Sequence, residues 1–148
     1  MIVLGADHGG VKLKEAIKKY LDEQNIAYKD FGTFDENSVD YAPIASRVAN
    51  AIVDGEAERG FLCCGTGIGM SIAANKVKGI RASVCSDPFS AEMTRRHNNA
   101  NILCLGGRVI NEEKAVELAK IFLNTPFEGG RHQRRIDQIA AIERGEKL

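Results

Sequence analysis

The chain has no tryptophan, and aromatic residues fill only 6% of its 148 positions. So few π faces leave no stacking platform for single-stranded nucleic acid. It has no excess of charge: Lys+Arg and Asp+Glu each number 20. Nucleic-acid binders and polybasic membrane-surface proteins carry a one-sided charge, so neither nucleic acid nor membrane is an expected partner. It has no long apolar run. The longest uncharged stretch, Gly60 to Asn75, holds four glycines and falls short of the ~20 apolar residues that a membrane span needs. The start, Ile2-Val3-Leu4 with Asp7 close behind, has no basic segment and no extended apolar segment, so no secretion signal is expected. The four cysteines, Cys63, Cys64, Cys85 and Cys104, form no C-x-x-C pair and no zinc-spaced cluster with histidine. They read as free thiols of a cytoplasmic protein without a metal site.

What the chain does have is alternation. Apolar runs at Met1–Leu4, Gly60–Cys64, Ala82–Cys85 and Ile102–Leu105, with the alternating Ala27–Phe31, predict five strands, the last of these an edge strand. Between them, apolar residues recur at helical spacing: Leu13, Ile17 and Leu21; Ile44, Val48 and Ile52; Ala115, Leu118 and Phe122. A helix is predicted over Met70–Val77. Another opens at Asp87-Pro88, with Asp as N-cap and Pro at the first helical position, and Asn111 caps the next. After Gly129-Gly130 a last helix should turn Ile136, Ile139 and Ala140 inward. Strand and helix in turn mean an α/β fold, a parallel sheet covered on both faces. No linker or repeat divides residues 1–148, so one domain is expected.

In such sheets, ligands sit at the carboxyl ends of the strands, where the strand order reverses. The loops after strands 1 and 3 should share that crevice, and they are the two unusual loops of the chain: Asp7-His8-Gly9-Gly10 and Cys64-Gly65-Thr66-Gly67-Ile68-Gly69. Three glycines before a helix let backbone N–H groups approach an anion, a phosphate or a developing oxyanion. A plain tight turn is the competing reading. A dinucleotide fingerprint would need Gly or Ala at Met70, and no G-K-[ST] makes a P-loop. Cys64, next to free N–H groups, is placed to act as a thiolate base or nucleophile. A cysteine-phosphatase motif would need Arg where Met70 stands. Asp7 could simply cap the next helix; with His8 it could equally hold sugar hydroxyls or a phosphate. His97-Asn98 closes the fourth helix, where a helix cap and a proton-transferring histidine are both reasonable.

Arg131, Arg134 and Arg135 break a local rule. Cations at a helix N-terminus are disfavoured by ~0.3–1 kcal/mol each, and Arg131 and Arg135 share a face. A phosphate dianion between the guanidiniums would reverse that cost. A solvated basic surface is the alternative.

Together these residues resemble the ribose-5-phosphate isomerases of type B. The resemblance rests on Asp7–Gly10, Cys64–Gly69, Ser71–Lys76, Gly79–Ala82, Arg96–Asn98, Gly106–Val109 and Gly130–Arg135, in order along nearly the whole chain. The galactose-6-phosphate isomerase subunits are similar. The resemblance implies a Rossmann-like three-layer sandwich with a C-terminal helix. It also implies interconversion of D-ribose 5-phosphate and D-ribulose 5-phosphate through a cis-enediolate, as in the pentose phosphate pathway, with neither metal nor cofactor. By the same resemblance Cys64 is the base, in a family whose other members use a Glu at the position of Met70. His97 opens the sugar ring, assisted by Asp7, and Gly65, Thr66, Gly67, Ile68 and Gly69 form the enediolate's anion hole. His8, Arg108, Arg131 and Arg135 fall at phosphate positions, and Tyr41 and Asn98 at sugar positions. The resemblance further implies a homodimer, or a tetramer, with the site between subunits. An isomerase of a six-carbon aldose 6-phosphate, of allose or galactose type, and a non-catalytic sugar-phosphate-binding module are the alternatives. A phosphoacceptor receiver is disfavoured, because the first loop offers a single acid, Asp7.

Overall fold

The three most apolar runs become the central strands: β1 (Ile2–Ala6), β3 (Arg59–Cys64) and β5 (Ile102–Gly106). β1 and β5 are buried at every residue, as strands covered on both faces must be. The short β2 (Tyr28–Asp30) and β4 (Ala82–Val84) take the edges. The computed structural model, which describes residues 1–148, orders the sheet β2-β1-β3-β5-β4 with every pairing parallel. β1 and β3 are neighbours, so the two unusual loops leave the sheet side by side.

Six helices connect and flank the strands: α1 (Val11–Glu23), α2 (Tyr41–Val53), α3 (Ile68–Ala74), α4 (Pro88–Arg96), α5 (Glu112–Asn124) and α6 (Arg131–Glu143). Right-handed crossovers send α1, α4 and α5 to one face and α2 and α3 to the other, which gives the three layers of a Rossmann-like α/β fold. Leu13, Ile17, Leu118 and Phe122 pack with Leu103 and Leu105 in the first core, and Ile44, Val48 and Met70 pack with Leu62 and Ile102 in the second. Successive strand residues face opposite ways, so Cys63 belongs to the first core and Cys64 to the second.

Both expected caps are present. Asp87 Oδ1 accepts the Ser90 N–H and Asn111 Oδ1 accepts the Lys114 N–H, each at 2.8 Å. Two expectations are corrected. α3 starts at Ile68, not Met70, because Gly67 takes a left-handed conformation (φ 82°) that ends the loop early; Gly69 is therefore helical. α6 buries His132, Ile136 and Ala141, while Ile139 remains 48% exposed. The cause is how α6 docks. Glu128 N–H bonds the Arg96 carbonyl just before it, and Glu143 accepts the Gly79 N–H near its end. The helix thus lies against the loops at the amino ends of the strands, touching them along a narrow seam.

One buried ion cluster braces the approach to the site. The Lys14 side chain is fully buried; its Nζ lies 2.6 Å from Asp30 Oδ2, and Lys18 Nζ lies 2.8 Å from the same oxygen. Gly32 N–H donates to Asp30 Oδ1, and the Lys14 ammonium sits 4.5 Å over the Phe34 ring. The chain leaving β2 is tied down here, before it returns past His8. Burial alone would push the Asp30 carboxyl up, but the hydrogen bonds from Lys14, Lys18 and Gly32 outweigh it and hold the group below its ordinary value. A depressed carboxylate stabilises the fold above its unfolded pKa and loses that contribution as pH falls through its folded one. Asp30→Asn is therefore expected to cost about 3 kcal/mol at neutral pH by stranding a buried ammonium. In urea titrations the gap to wild type should narrow below about pH 4; a gap that stays constant into acid would contradict this account.

Candidate active site

Close packing of backbone on backbone builds the crevice. A Cβ on Gly10 would collide with the Cys63 carbonyl, and one on Gly9 would come within 2.9 Å of the Gly65 nitrogen. Only glycine lets the loops after β1 and β3 touch in this way. Asp7 Oδ1 accepts the Gly9 N–H at 2.8 Å, which closes the first loop and leaves the second carboxylate oxygen without a partner. Asp7 does not cap α1, whose N-cap is Gly10 without a side-chain bond; its one bond closes a turn inside the loop itself. His8 Nδ1 accepts the Val39 N–H at 3.2 Å, so the ring is oriented by the loop that precedes α2.

The glycine loop is organised around sulfur. Gly67 N–H donates to Cys64 Sγ at 3.0 Å, and Thr66 Oγ1 accepts the Ile68 N–H at 3.2 Å. The N–H groups of Gly65, Thr66, Gly69 and Met70 have no backbone acceptor in the chain. They form a nest of free donors beside the thiol, the arrangement that suits an anion. Tyr41, at the start of α2, lays its ring against Gly69, where an added Cβ would come within 2.7 Å of it. The exposed Arg108 reaches from the β5 loop to lie over Gly65. One crevice therefore gathers Asp7, His8, Tyr41, Cys64, Gly65, Thr66, Gly67, Ile68, Gly69 and Arg108.

The four cysteines differ sharply. Burial pushes the thiols of Cys63, Cys85 and Cys104 above their ordinary value. Cys64 alone has a backbone N–H aimed at its sulfur. Met70 is fully buried.

His97, Asn98, Arg131 and Arg135 lie elsewhere. α4 connects β4 to β5, two parallel strands, so it runs back down the sheet and ends beside the amino end of β5. Cys64 pairs with Gly106 at the carboxyl end of that strand. The run from Ile102 to Gly106 separates the two ends by about 13 Å at ~3.3 Å per residue. Arg81, just before β4, grips the carbonyls of Asn98 and Asn99. The buried Arg95 holds Asn99 Oδ1 and the Ala100 carbonyl. These two guanidiniums fix the turn that carries His97. The His97 ring stacks on His132 of α6, with centroids 4.2 Å apart and planes 11° from parallel, which keeps exposed Arg131 and Arg135 at this same end. A groove of about 440 Å³ opens there, lined in part by Ile80, Asn98, Ile139 and Ile142. None of the residues lining it is in the glycine loop, so it lies away from Cys64.

Sequence reasoning missed two members of this second cluster, His132 and Glu128. Their signal was the i, i+4 spacing within the arginine segment. The ligand atoms of His97, Glu128 and His132 lie within 4.8 Å of one another, a donor set chemically able to take a cation. The near-parallel rings, however, send their lone pairs side by side instead of toward one point.

Comparison with known proteins bears on this geometry. The family model described as Ribose/Galactose Isomerase matches residues 2–139. The ribose-5-phosphate isomerase B of Escherichia coli strain K12 is 47% identical over 142 residues, covering 96% of this chain and 95% of that protein. A D-erythrulose-4-phosphate isomerase of Pectobacterium atrosepticum is 43% identical over 149 residues, covering 99% and 97%. The solved structure of Clostridium thermocellum ribose-5-phosphate isomerase B superposes with a TM-score of 0.96 at 46% identity, with 97% of each chain covered.

The environment of the thiols makes a prediction. Brief treatment of the native protein with iodoacetamide near neutral pH should alkylate Cys64 first, with Cys63, Cys85 and Cys104 reacting only on unfolding. Peptide mass spectrometry reads the order; labelling at equal rates would contradict the special environment of Cys64.

Proposed function

The chain belongs to the ribose/galactose isomerase family, whose members are sugar-phosphate aldose–ketose isomerases, and from that premise we propose that it interconverts D-ribose 5-phosphate and D-ribulose 5-phosphate. One observation carries the reading: a cysteine sulfur that accepts a backbone N–H stands beside a nest of unpartnered N–H groups. Proton abstraction next to a carbonyl needs a base at carbon and donors for the oxyanion that follows, and this loop offers both.

In the aldose-to-ketose direction, the Cys64 thiolate takes the C2 proton of the open-chain sugar. The electron pair left behind forms the C1=C2 bond of a cis-enediolate, and the carbonyl π electrons move onto O1. The N–H groups of Gly65, Thr66 and Gly69 hold that charge. The thiol then returns its proton to C1 while the O2 proton moves to O1, which leaves the ketone at C2. His97 moves the proton that opens the furanose ring, and the free oxygen of Asp7 holds sugar hydroxyls. His8, Arg108, Arg131 and Arg135 bind the phosphate, whose binding energy orients the reacting carbons. Tyr41 and Asn98 flank the sugar.

His97 and Cys64 stand at opposite ends of one chain, so this assignment requires a second copy. A two-fold dimer that sets the Cys64 end of one subunit against the His97 end of the other builds two complete sites. Exposed apolar side chains border both ends and support such docking: Ile68 and Ile72 beside the glycine loop, and Ile139 and Ile142 on α6. Neither half of the site calls for a metal or cofactor in this scheme.

Ribulose formation from ribose 5-phosphate should proceed undiminished in EDTA and vanish in Cys64→Ala. Full activity in that variant would remove the thiol from the mechanism. Arg135→Ala should raise KM for the phosphorylated sugar roughly tenfold or more, by loss of a charge-assisted phosphate contact, with a much smaller effect on kcat; an unchanged KM would take Arg135 out of the phosphate site. Rates on four-, five- and six-carbon aldose phosphates, measured side by side, test the substrate itself. A five-carbon preference is expected, and faster turnover of a six-carbon aldose 6-phosphate would replace ribose 5-phosphate as the substrate.

A further inference from the structure

The proposed ring opener is loosely held by its own bonds. No group in the chain hydrogen-bonds the His97 imidazole; what orients it is the flat face of His132, stacked at 4.2 Å. His132 itself is fixed. It is 5% exposed, seated in the first turn of α6, and its Nε2 lies 3.4 Å from Glu128 Oε2. Glu128 in turn is tied by its backbone N–H to the carbonyl of Arg96, the residue before His97. A short closed circuit, Arg96 to Glu128 to His132 to His97, therefore runs between α4 and α6.

We propose that His132 is the positioning residue for His97, and that its stacked ring holds the His97 imidazole in the orientation needed to open the sugar ring. This rests on the reading of His97 given above. Two imidazolium rings stacked this closely would repel, so a second positive charge on the pair is opposed. Burial, the adjoining His97 and Arg131 all push His132 below its ordinary value. The flat face of His132 packs directly on the less buried His97 ring and fixes the plane of that imidazole. The charged groups around the pair agree. Arg131 and Arg135 from α6 and Arg96 from α4 oppose a second positive charge, and Glu128 is the carboxylate nearest His132. His132 touches no reacting atom in this scheme. It acts through His97.

The test separates ring opening from proton transfer at carbon. Ribose 5-phosphate is a closed ring and must be opened. Ribulose 5-phosphate cannot close, because the hydroxyl that would attack its ketone carries the phosphate. Exchange of its C1 proton with D2O therefore needs Cys64 and not ring opening. His132→Ala is expected to slow turnover of ribose 5-phosphate roughly tenfold or more, as misoriented catalytic groups do, while C1 exchange in ribulose 5-phosphate stays within about twofold of wild type. His132→Phe, which keeps a flat ring against His97, should recover at least about half of the lost rate. The proposal is overturned by full turnover of ribose 5-phosphate in His132→Ala, by equal losses in both assays, or by a His132→Phe variant as slow as His132→Ala. His97→Ala in the same two assays reports on the ring-opening assignment itself. If it slows neither reaction, that assignment fails whatever His132 does.

Discussion

In a parallel sheet every strand is entered from the same end, so each crossover helix must run back against the strands it joins. The site depends on this constraint. It delivers the loops after β1, β3 and β5 to one end, where Gly9, Gly10 and Gly65 let them touch. It delivers the end of α4, and with it His97, to the other. α6 then docks on the α4 end through His132, adding two arginines to it. The chain thus carries two unlike polar clusters at opposite ends of one sheet, and the proposed pairing of them across two subunits follows from that connectivity.

The two ends are built by different means. The Cys64 end is backbone chemistry: a nest of N–H groups, a sulfur that accepts one more, and glycines that a Cβ would ruin. The His97 end is side-chain chemistry. Buried Arg95 and half-buried Arg81 grip the carbonyls of Asn98, Asn99 and Ala100 in the turn after α4, and a stacked imidazole pair sits beside it. Rigid backbone suits a hole that must receive a developing oxyanion without reorganising. An imidazole held by a stacked partner suits the proposed step that moves a proton on and off oxygen.

Much of this was legible in the amino-acid order. Buried parallel strands announce themselves as unbroken apolar runs, and Asp87-Pro88 and Asn111 mark helix starts by local hydrogen bonding alone. Cys64 stood out because its neighbours are glycines, and the arginines because they violate helix electrostatics. What sequence could not give was anything set by docking. Ile139 has the spacing of a core residue, yet it is half exposed, because α6 meets the chain along a seam too narrow to cover it. Gly69 reads as loop and is helical, because the left-handed turn comes two residues earlier at Gly67. His132 looked like one more member of a basic segment, and only the approach of α6 to α4 reveals its stack on His97.

If one site is assembled from the Cys64 end of one subunit and the His97 end of another, two inactive variants should repair each other. Cys64→Ala and His97→Ala, each purified without activity on ribose 5-phosphate, would be dissociated together and reassociated at equal amounts. Random pairing then yields one intact site in each mixed dimer, and about a quarter of wild-type activity should return. If the mixture stays at the level of the separate variants after subunit exchange has been demonstrated, the two residues do not share a site across the interface, and the account fails at its centre.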